Sequence, residues 1–557
     1  MKLFRKRLEP LNRGPGSRRW LFVPYDQLSG DLGPLAGESP DSLGIVLLES
    51  SQKAARRPYH RQKLALVLAN QRHFALEQAA RGVAVRYEAT PLPYAEALAP
   101  IANELGPLRL MEPAERELRT ELAPLAQEGV LEIVPHEGWM TTAEQFRGSF
   151  AKGPPWRMDS FYRRVRRDSG VLMEGKDPVG GKYSFDADNR KPWKGKPAAP
   201  EPPRFEPDDV TREVADLIER RFDRHPGRLD LESLPATRAD AEALREWALD
   251  SCLEHFGPYE DAMSAQSRSL FHTRVSAVLN LHRLLPKDLV ERAAARDAPL
   301  ASREGFVRQI LGWREFMRHV HRETDGFRKL PGGNPEVGSK PGDGGWSAWS
   351  GNTWALGVRQ PSGTGGAEPN ELAADTPLPP AYWGEASGLA CLDTVVEQVW
   401  DEAYTHHIPR LMVLANLGSL LGINPRELTD WFWVAFADAY DWVVEPNVLG
   451  MGSYAVGGLF TTKPYVSGAN YIHKMSDYCK DCRFDPKADC PITRLYWSFL
   501  DRNRARFEAN PRMGLVLRNL ERRAASERAE DRRIYEDVRA TLGRGERLRP
   551  SDLRRRS

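Results

Sequence analysis

A chain of 557 residues with 41% hydrophobic content carries more material than one core usually organises, so two or three packed domains are expected. Its longest apolar stretches, 44–48 and 411–421, fall short of the roughly 20 residues that cross a bilayer, which excludes a helical membrane protein. The net charge of +2 excludes a uniformly basic surface, yet basic clusters at 157–167, 502–523 and 554–556 suit either phosphate contact or solvated helix faces.

Residues 1–19 carry Lys2, Arg5, Lys6, Arg7, Arg13, Arg18 and Arg19 but no apolar run or cleavage site of a signal peptide, and read as a partly disordered basic arm of a cytoplasmic protein. Residues 20–23 and 44–48 read as buried strands, 60–81 as a helix, and 83–87 as a further strand. Strands at 109–111 and 131–134 alternate with a helix at 114–127. Alternation of this kind predicts a Rossmann-like parallel α/β domain over 20–140. A stretch rich in Pro, Gly and Lys at 177–204 marks an interdomain connector, set at 141–207. Beyond it, 208–222, 238–252, 270–285, 286–295, 302–321, 392–406 and 409–421 all carry apolar residues at helical spacing, which predicts a larger all-α domain over 208–523. An insertion at 327–380, loaded with Gly, Pro and Ser, interrupts it and is longer than ordered connections usually run. Residues 524–557 read as a basic tail.

Four of the five cysteines are Cys391, Cys479, Cys482 and Cys490, the last three within CKDCRFDPKADC. In a cytoplasmic protein this spacing points to a metal centre instead of disulfides, and by itself it suits zinc or a 4Fe-4S cluster. Cys252 reads as core.

Specific strings then accumulate. They include RMDSFYRRVRR from Arg157, PVGGKYSFDADNRKPW from Pro178, QILGWREFMR from Gln309, AYTHHIPRLMVLAN from Ala403, FADAYDWVVEPNVLGM from Phe436 and TTKPYVSGANYIHKMSDYCKDC from Thr461. Together they resemble the iron-sulfur bacterial cryptochromes and photolyases over about 20–523. The resemblance implies the cryptochrome/photolyase fold, FAD in the helical domain, a 4Fe-4S cluster on the four cysteines and UV-damaged DNA as partner; a monomer is expected. For FAD it implies His272, Thr273, Arg274 and Ser276 at a helix head by the pyrophosphate, Trp313 and Arg314 on the flavin side, and Arg410 with Asp438 facing the ring. His407, with neighbouring His406, matches the proton donor needed for (6-4) photoproduct repair; Tyr465 and Tyr471 match tyrosines near the lesion, generic buried tyrosines being the alternative. Trp383 and Trp431, among 15 tryptophans, match electron-transfer positions.

Three departures stand out. Val444 replaces the carboxylate that the family places toward the flavin, which puts the flavin's radical state and its photoreduction in question unless Glu445 compensates by a backbone shift. Tyr25, in PYDQLS, replaces a glycine in the loop which, with Asp26, Gln27 and Glu49, would contact an antenna of the 6,7-dimethyl-8-ribityllumazine type. The insertion is the third. The function expected is light-driven repair of (6-4) photoproducts, with a signalling cryptochrome, a cyclobutane-dimer photolyase and a flavin-free cluster protein as the alternatives.

Overall fold

The computed structural model describes residues 1–338 and 365–553. Five strands, β1 (Arg19–Phe22), β2 (Leu43–Ser50), β3 (Ala84–Thr90), β4 (Leu108–Met111) and β5 (Leu131–Val134), form an all-parallel sheet in the order β3-β2-β1-β4-β5. Alternation along the strands sends Leu21, Ile45 and Leu47 into one apolar layer, and Trp20, Phe22, Val46 and Leu48 into the other. The helices between strands, Arg61–Ala80, Tyr94–Leu105 and Arg116–Gln127, cover the faces, as parallel crossovers require.

The terminal segments differ from expectation. Residues Lys2–Leu8 form a helix, not a disordered arm, because Phe4 and Leu8 are buried in the first layer beside Phe74 and Val210. The helix Ala525–Gly543 packs Ile534, Val538 and Leu542 along the helix Pro491–Arg502 and so belongs to the helical body instead of a tail. Its Asp531 binds Arg494 and Arg523 at 3.0 Å each, which absorbs part of the 502–523 basic run. The charges at 554–556 and residues 339–364 of the long insertion lie outside the described residues; the insertion's described parts meet in a bridge between Val337 and Ala367.

The sheet is clamped to the helices by polar contacts set in a shared apolar core. Arg57 donates to Glu117 at 3.1 Å and lies 3.9 Å over the Trp433 ring, and Lys63 donates to the carbonyls of Trp433 (2.9 Å) and Ala439 (2.5 Å). The segment 270–285, expected as one helix, is helical only at Ser276–Asn280: Leu270, Arg274 and His282 adopt positive φ and break it. No helix among the described residues is long and apolar enough to cross a membrane.

Candidate active site

A cavity of about 310 Å³ opens within the helical half. Three of its walls are π-helical segments set inside longer helices: Arg308–Arg314, Arg410–Ala415 and Glu445–Gly452. A π turn holds an extra residue, which bulges the backbone and presents side chains that a regular α-helix would turn away.

Asp438 is the buried anion of the site. Arg410 grips it with both terminal nitrogens (2.9 and 3.1 Å), the Ser276 hydroxyl donates to it at 2.7 Å, and Asn280 donates to its backbone carbonyl at 2.9 Å. Burial alone would raise its carboxyl, but the Arg410 guanidinium and the Ser276 hydroxyl hold it below the ordinary range, so it stays ionised. Arg410 is itself fixed by donation to the Thr405 carbonyl (2.7 Å) and by lying 4.1 Å over Phe436. Arg314 lies 4.2 Å over Trp139 and donates to Asn280 (3.3 Å); burial pulls it down to about 10, which still leaves it charged at neutral pH. Trp313 lines the same wall.

A second cavity of about 600 Å³ shares Arg274, Ser276, Tyr404 and Asp438 with the first and runs beneath 201–205 of the connector. Arg274 stands at this waist, donating to Glu402 (2.8 Å) and Ser269 (2.9 Å) and lying 4.3 Å over Tyr404. The charge near Thr273 and His272 therefore comes from Arg274. The expected helix head is a five-residue helix that starts only at Ser276, too short for a substantial dipole.

The two adjacent histidines have separate environments. His406 is buried, its ring stacked on His272 at 3.9 Å and 12°, with burial driving both imidazoles well below their ordinary range; two neutral rings can lie face to face where two cations could not. His407 begins the next helical turn and faces the open cavity. Enclosure by the cleft walls, and then Arg410, pull its imidazole down to about 4, while Asp186 opposes. Tyr465 and Tyr471 do not line the cavity. They share the field of Asp186 with His407, Tyr471 also donating to Asp261 (3.4 Å) and Tyr465 also feeling Arg157 and Arg190. Glu260, which lines the cavity and accepts from Gln309 (2.5 Å) and from Asn189 of the connector (3.0 Å), escaped the sequence reading, as did Asn280. Neither sits in a pattern that separates it from an ordinary loop or helix residue.

A curated relative, the (6-4) photolyase of Agrobacterium fabrum, is 34% identical over 513 residues, which span 88% of this chain and 93% of that protein. The chain belongs to the photolyase family. A family model described as deoxyribodipyrimidine photo-lyase-related protein matches residues 21–233. An uncharacterised protein, R855, of Acanthamoeba polyphaga mimivirus is 36% identical over 104 residues, 19% of this chain and 81% of that one. The crystal structure of a bacterial class III photolyase from Agrobacterium tumefaciens superposes with a TM-score of 0.51 at 13% identity, covering 95% of this chain and 98% of that one, and shares the fold.

In this photolyase-family chain an aromatic ladder leads away from the cavity. Phe432 lines the wall and meets Trp431 at 5.2 Å; Trp431 meets Trp400 at 6.0 Å; Trp400 stacks on Trp383 at 5.4 Å and 17°. Trp400, absent from the sequence reading, thus stands between the two tryptophans it singled out. The indole N–H groups of Trp400 and Trp431 both donate at 2.9 Å to one carbonyl, that of Tyr382. Val444 lines the cavity, but Glu445 points away from it and is held by Arg426 (2.7 Å) and His321 (2.9 Å). Glu445 therefore does not stand in for a carboxylate at Val444.

Cys391 opens the helix Ala390–Glu402, Cys490 caps the helix Pro491–Arg502, and Cys479 and Cys482 lie in the turns before it. Burial, and then the three other thiols, push Cys391 well above its ordinary range; burial takes Cys490 to about 12. Among the described residues no three His, Cys, Asp or Glu side chains converge closely enough to hold one metal ion.

Proposed function

We propose that this chain repairs UV-induced pyrimidine lesions in DNA in a light-driven reaction, with the (6-4) photoproduct as substrate and FAD in the paired cavities. The observation that carries the reading is the placing of His407 at the mouth of a cavity whose floor is the Asp438–Arg410 pair. FAD, when bound, supplies the light-absorbing electron donor. Asp438, Arg410 and Arg314 offer a fixed carboxylate and two cations to the polar edge of a flat ring, and Arg274 at the waist suits a diphosphate linker. Phe432 and Trp442 supply aromatic wall, and Phe306, Leu411 and Met451 exclude water.

Arg157 and Arg190 act on Tyr465, and Arg190 also on Tyr471; there DNA phosphates would approach as a damaged base pair is turned out toward the cavity. His407 is neutral in the free protein. A phosphodiester drawn to the rim lends negative potential, raises its pKa and loads the proton that the lesion needs, so that substrate binding and acid loading are one event.

The same reading places a 4Fe-4S cluster on Cys391, Cys479, Cys482 and Cys490. The other three thiols all act on Cys391, which supports one shared inorganic centre, and the likeness to the iron-sulfur photolyases is what favours a 4Fe-4S cluster over zinc there.

The deciding experiment incubates the reduced protein with oligonucleotides carrying either the (6-4) photoproduct or the cyclobutane dimer, in light and in dark. Light-dependent restoration of the (6-4) lesion is expected. Restoration of the dimer alone would reassign the substrate, and restoration of neither would overturn the repair reading in favour of a photoreceptor.

A further inference from the structure

In open parallel sheets the ligand crevice lies outside the carboxyl ends of the strands, where strand order reverses. Here that point falls between β1 and β4. The segments that leave the strand ends bring Tyr25 after β1, Glu49, Ser50 and Lys53 at the end of β2, and Glu115 after β4 to one place. This is also where the antenna group implied by the family would lie.

The place is full. The Tyr25 ring, 6% exposed, is stacked between Tyr94 (6.2 Å, 27°) and Tyr440 of the helical half (6.2 Å, 14°), with the Lys53 ammonium 5.6 Å from its centre. Lys63 spans the remaining gap, its amine 4.8 Å over Tyr59 and tied to the carbonyls of Trp433 and Ala439. The space left over is about 70 Å³, whereas sites for small organic ligands run from about 300 Å³ upward.

The polar groups expected to hold an antenna are committed elsewhere or out of reach. Both carboxylate oxygens of Glu49 accept from Arg72 (2.9–3.1 Å), and one also accepts from the Tyr87 hydroxyl (2.8 Å). The Gln27 amide donates to the Met111 carbonyl at 2.9 Å. Asp26 does not line the gap, and its buried carboxyl has no protein partner. The hydroxyls of Tyr25 and Tyr440 are likewise buried without a protein partner. A gap of this size with unsatisfied hydroxyls suits about two waters, at about 30 Å³ each.

We propose that in this chain Tyr25 plugs the ligand crevice of the N-terminal sheet, so that no ribityllumazine antenna binds there. The inference does not rest on the repair reading, because chromophore content can be measured without any repair assay.

The test uses the full-length protein made in a host that synthesises both riboflavin and its lumazine precursor. The protein is denatured and the released small molecules are quantified by chromatography and mass spectrometry, and a parallel sample is titrated with 6,7-dimethyl-8-ribityllumazine. FAD with at most a trace of lumazine, and no saturable binding, is the expected result; lumazine near stoichiometry with FAD would overturn the proposal. Y25G, checked for an unchanged flavin content and circular dichroism, is expected to gain lumazine affinity by at least about tenfold. A folded Y25G protein that still excludes lumazine would refute Tyr25 as the plug.

Discussion

Single side chains set the chemistry of the site, and the clearest pair is His406 and His407. Both were singled out in the sequence, but no pattern there could say which of two adjacent imidazoles would be buried in the cavity wall against His272 and which exposed; that follows from the helix that begins between them, which turns successive residues by about 100°. Replacing His407 by Ala is expected to lower light-dependent repair by about 10²- to 10⁴-fold, the usual worth of a positioned acid, while leaving flavin content unchanged; single-flash repair yields and flavin spectra on one sample check both halves. Glu445 carries a different load. It is a buried carboxylate held by Arg426 and His321, with its carboxyl at about 2 because those partners outweigh burial. E445A leaves the Arg426 cation to Asp430 alone and His321 without its carboxylate, and a loss of about 1–3 kcal/mol in stability is expected by thermal or denaturant unfolding.

Secondary-structure elements explain why some of the fold was legible and some was not. The strands were readable within a few residues because apolar runs bounded by polar turns have little alternative in a parallel sheet. The segment 270–285 was misread because Leu270, Val275, Val278, Leu279, Leu281 and Leu284 keep a helical period even where the backbone leaves the helix. They are buried by tertiary packing, and period alone cannot tell the two cases apart. The three π segments were equally invisible, since one extra residue per turn looks like a small drift in spacing. They are what turns Gln309, Asn447 and Met451 into the cavity. Trp400 was missed because an indole in the helix Ala390–Glu402 has no signature of its own; only its two neighbours in space reveal it. W400F keeps an aromatic ring in place but is harder to oxidise. Photoreduction of the oxidised flavin, followed by absorbance under blue light, is expected to slow severalfold with flavin content preserved.

At the scale of the whole molecule, the buried histidines make stability depend on acid. Burial holds His225 at about 4, His60 and His282 at about 3 and His319 at about 2, all far below the ordinary value near 6.5, and none of them lines the cavity. A folded state that keeps these rings neutral has its full stability above about pH 6.5. Below that value the unfolded chain takes up protons that the folded one refuses, so stability falls as pH drops toward the folded values, by up to about 1.4 kcal/mol per histidine per pH unit. The melting temperature is therefore expected to be nearly flat from pH 6.5 to 8 and to fall steadily below 6.5. A melting temperature unchanged down to pH 5 would show that these rings are hydrated and titrate normally.

The carbonyl of Tyr382 receives both inner indoles, and Trp383 stands on the same short turn, Pro380–Trp383. The rungs of the ladder are thus fastened to one clasp, and their spacings cannot drift separately. A displacement of that turn would move Trp383 together with the shared acceptor of Trp400 and Trp431, so that the spacings of the three indoles answer to one peptide unit.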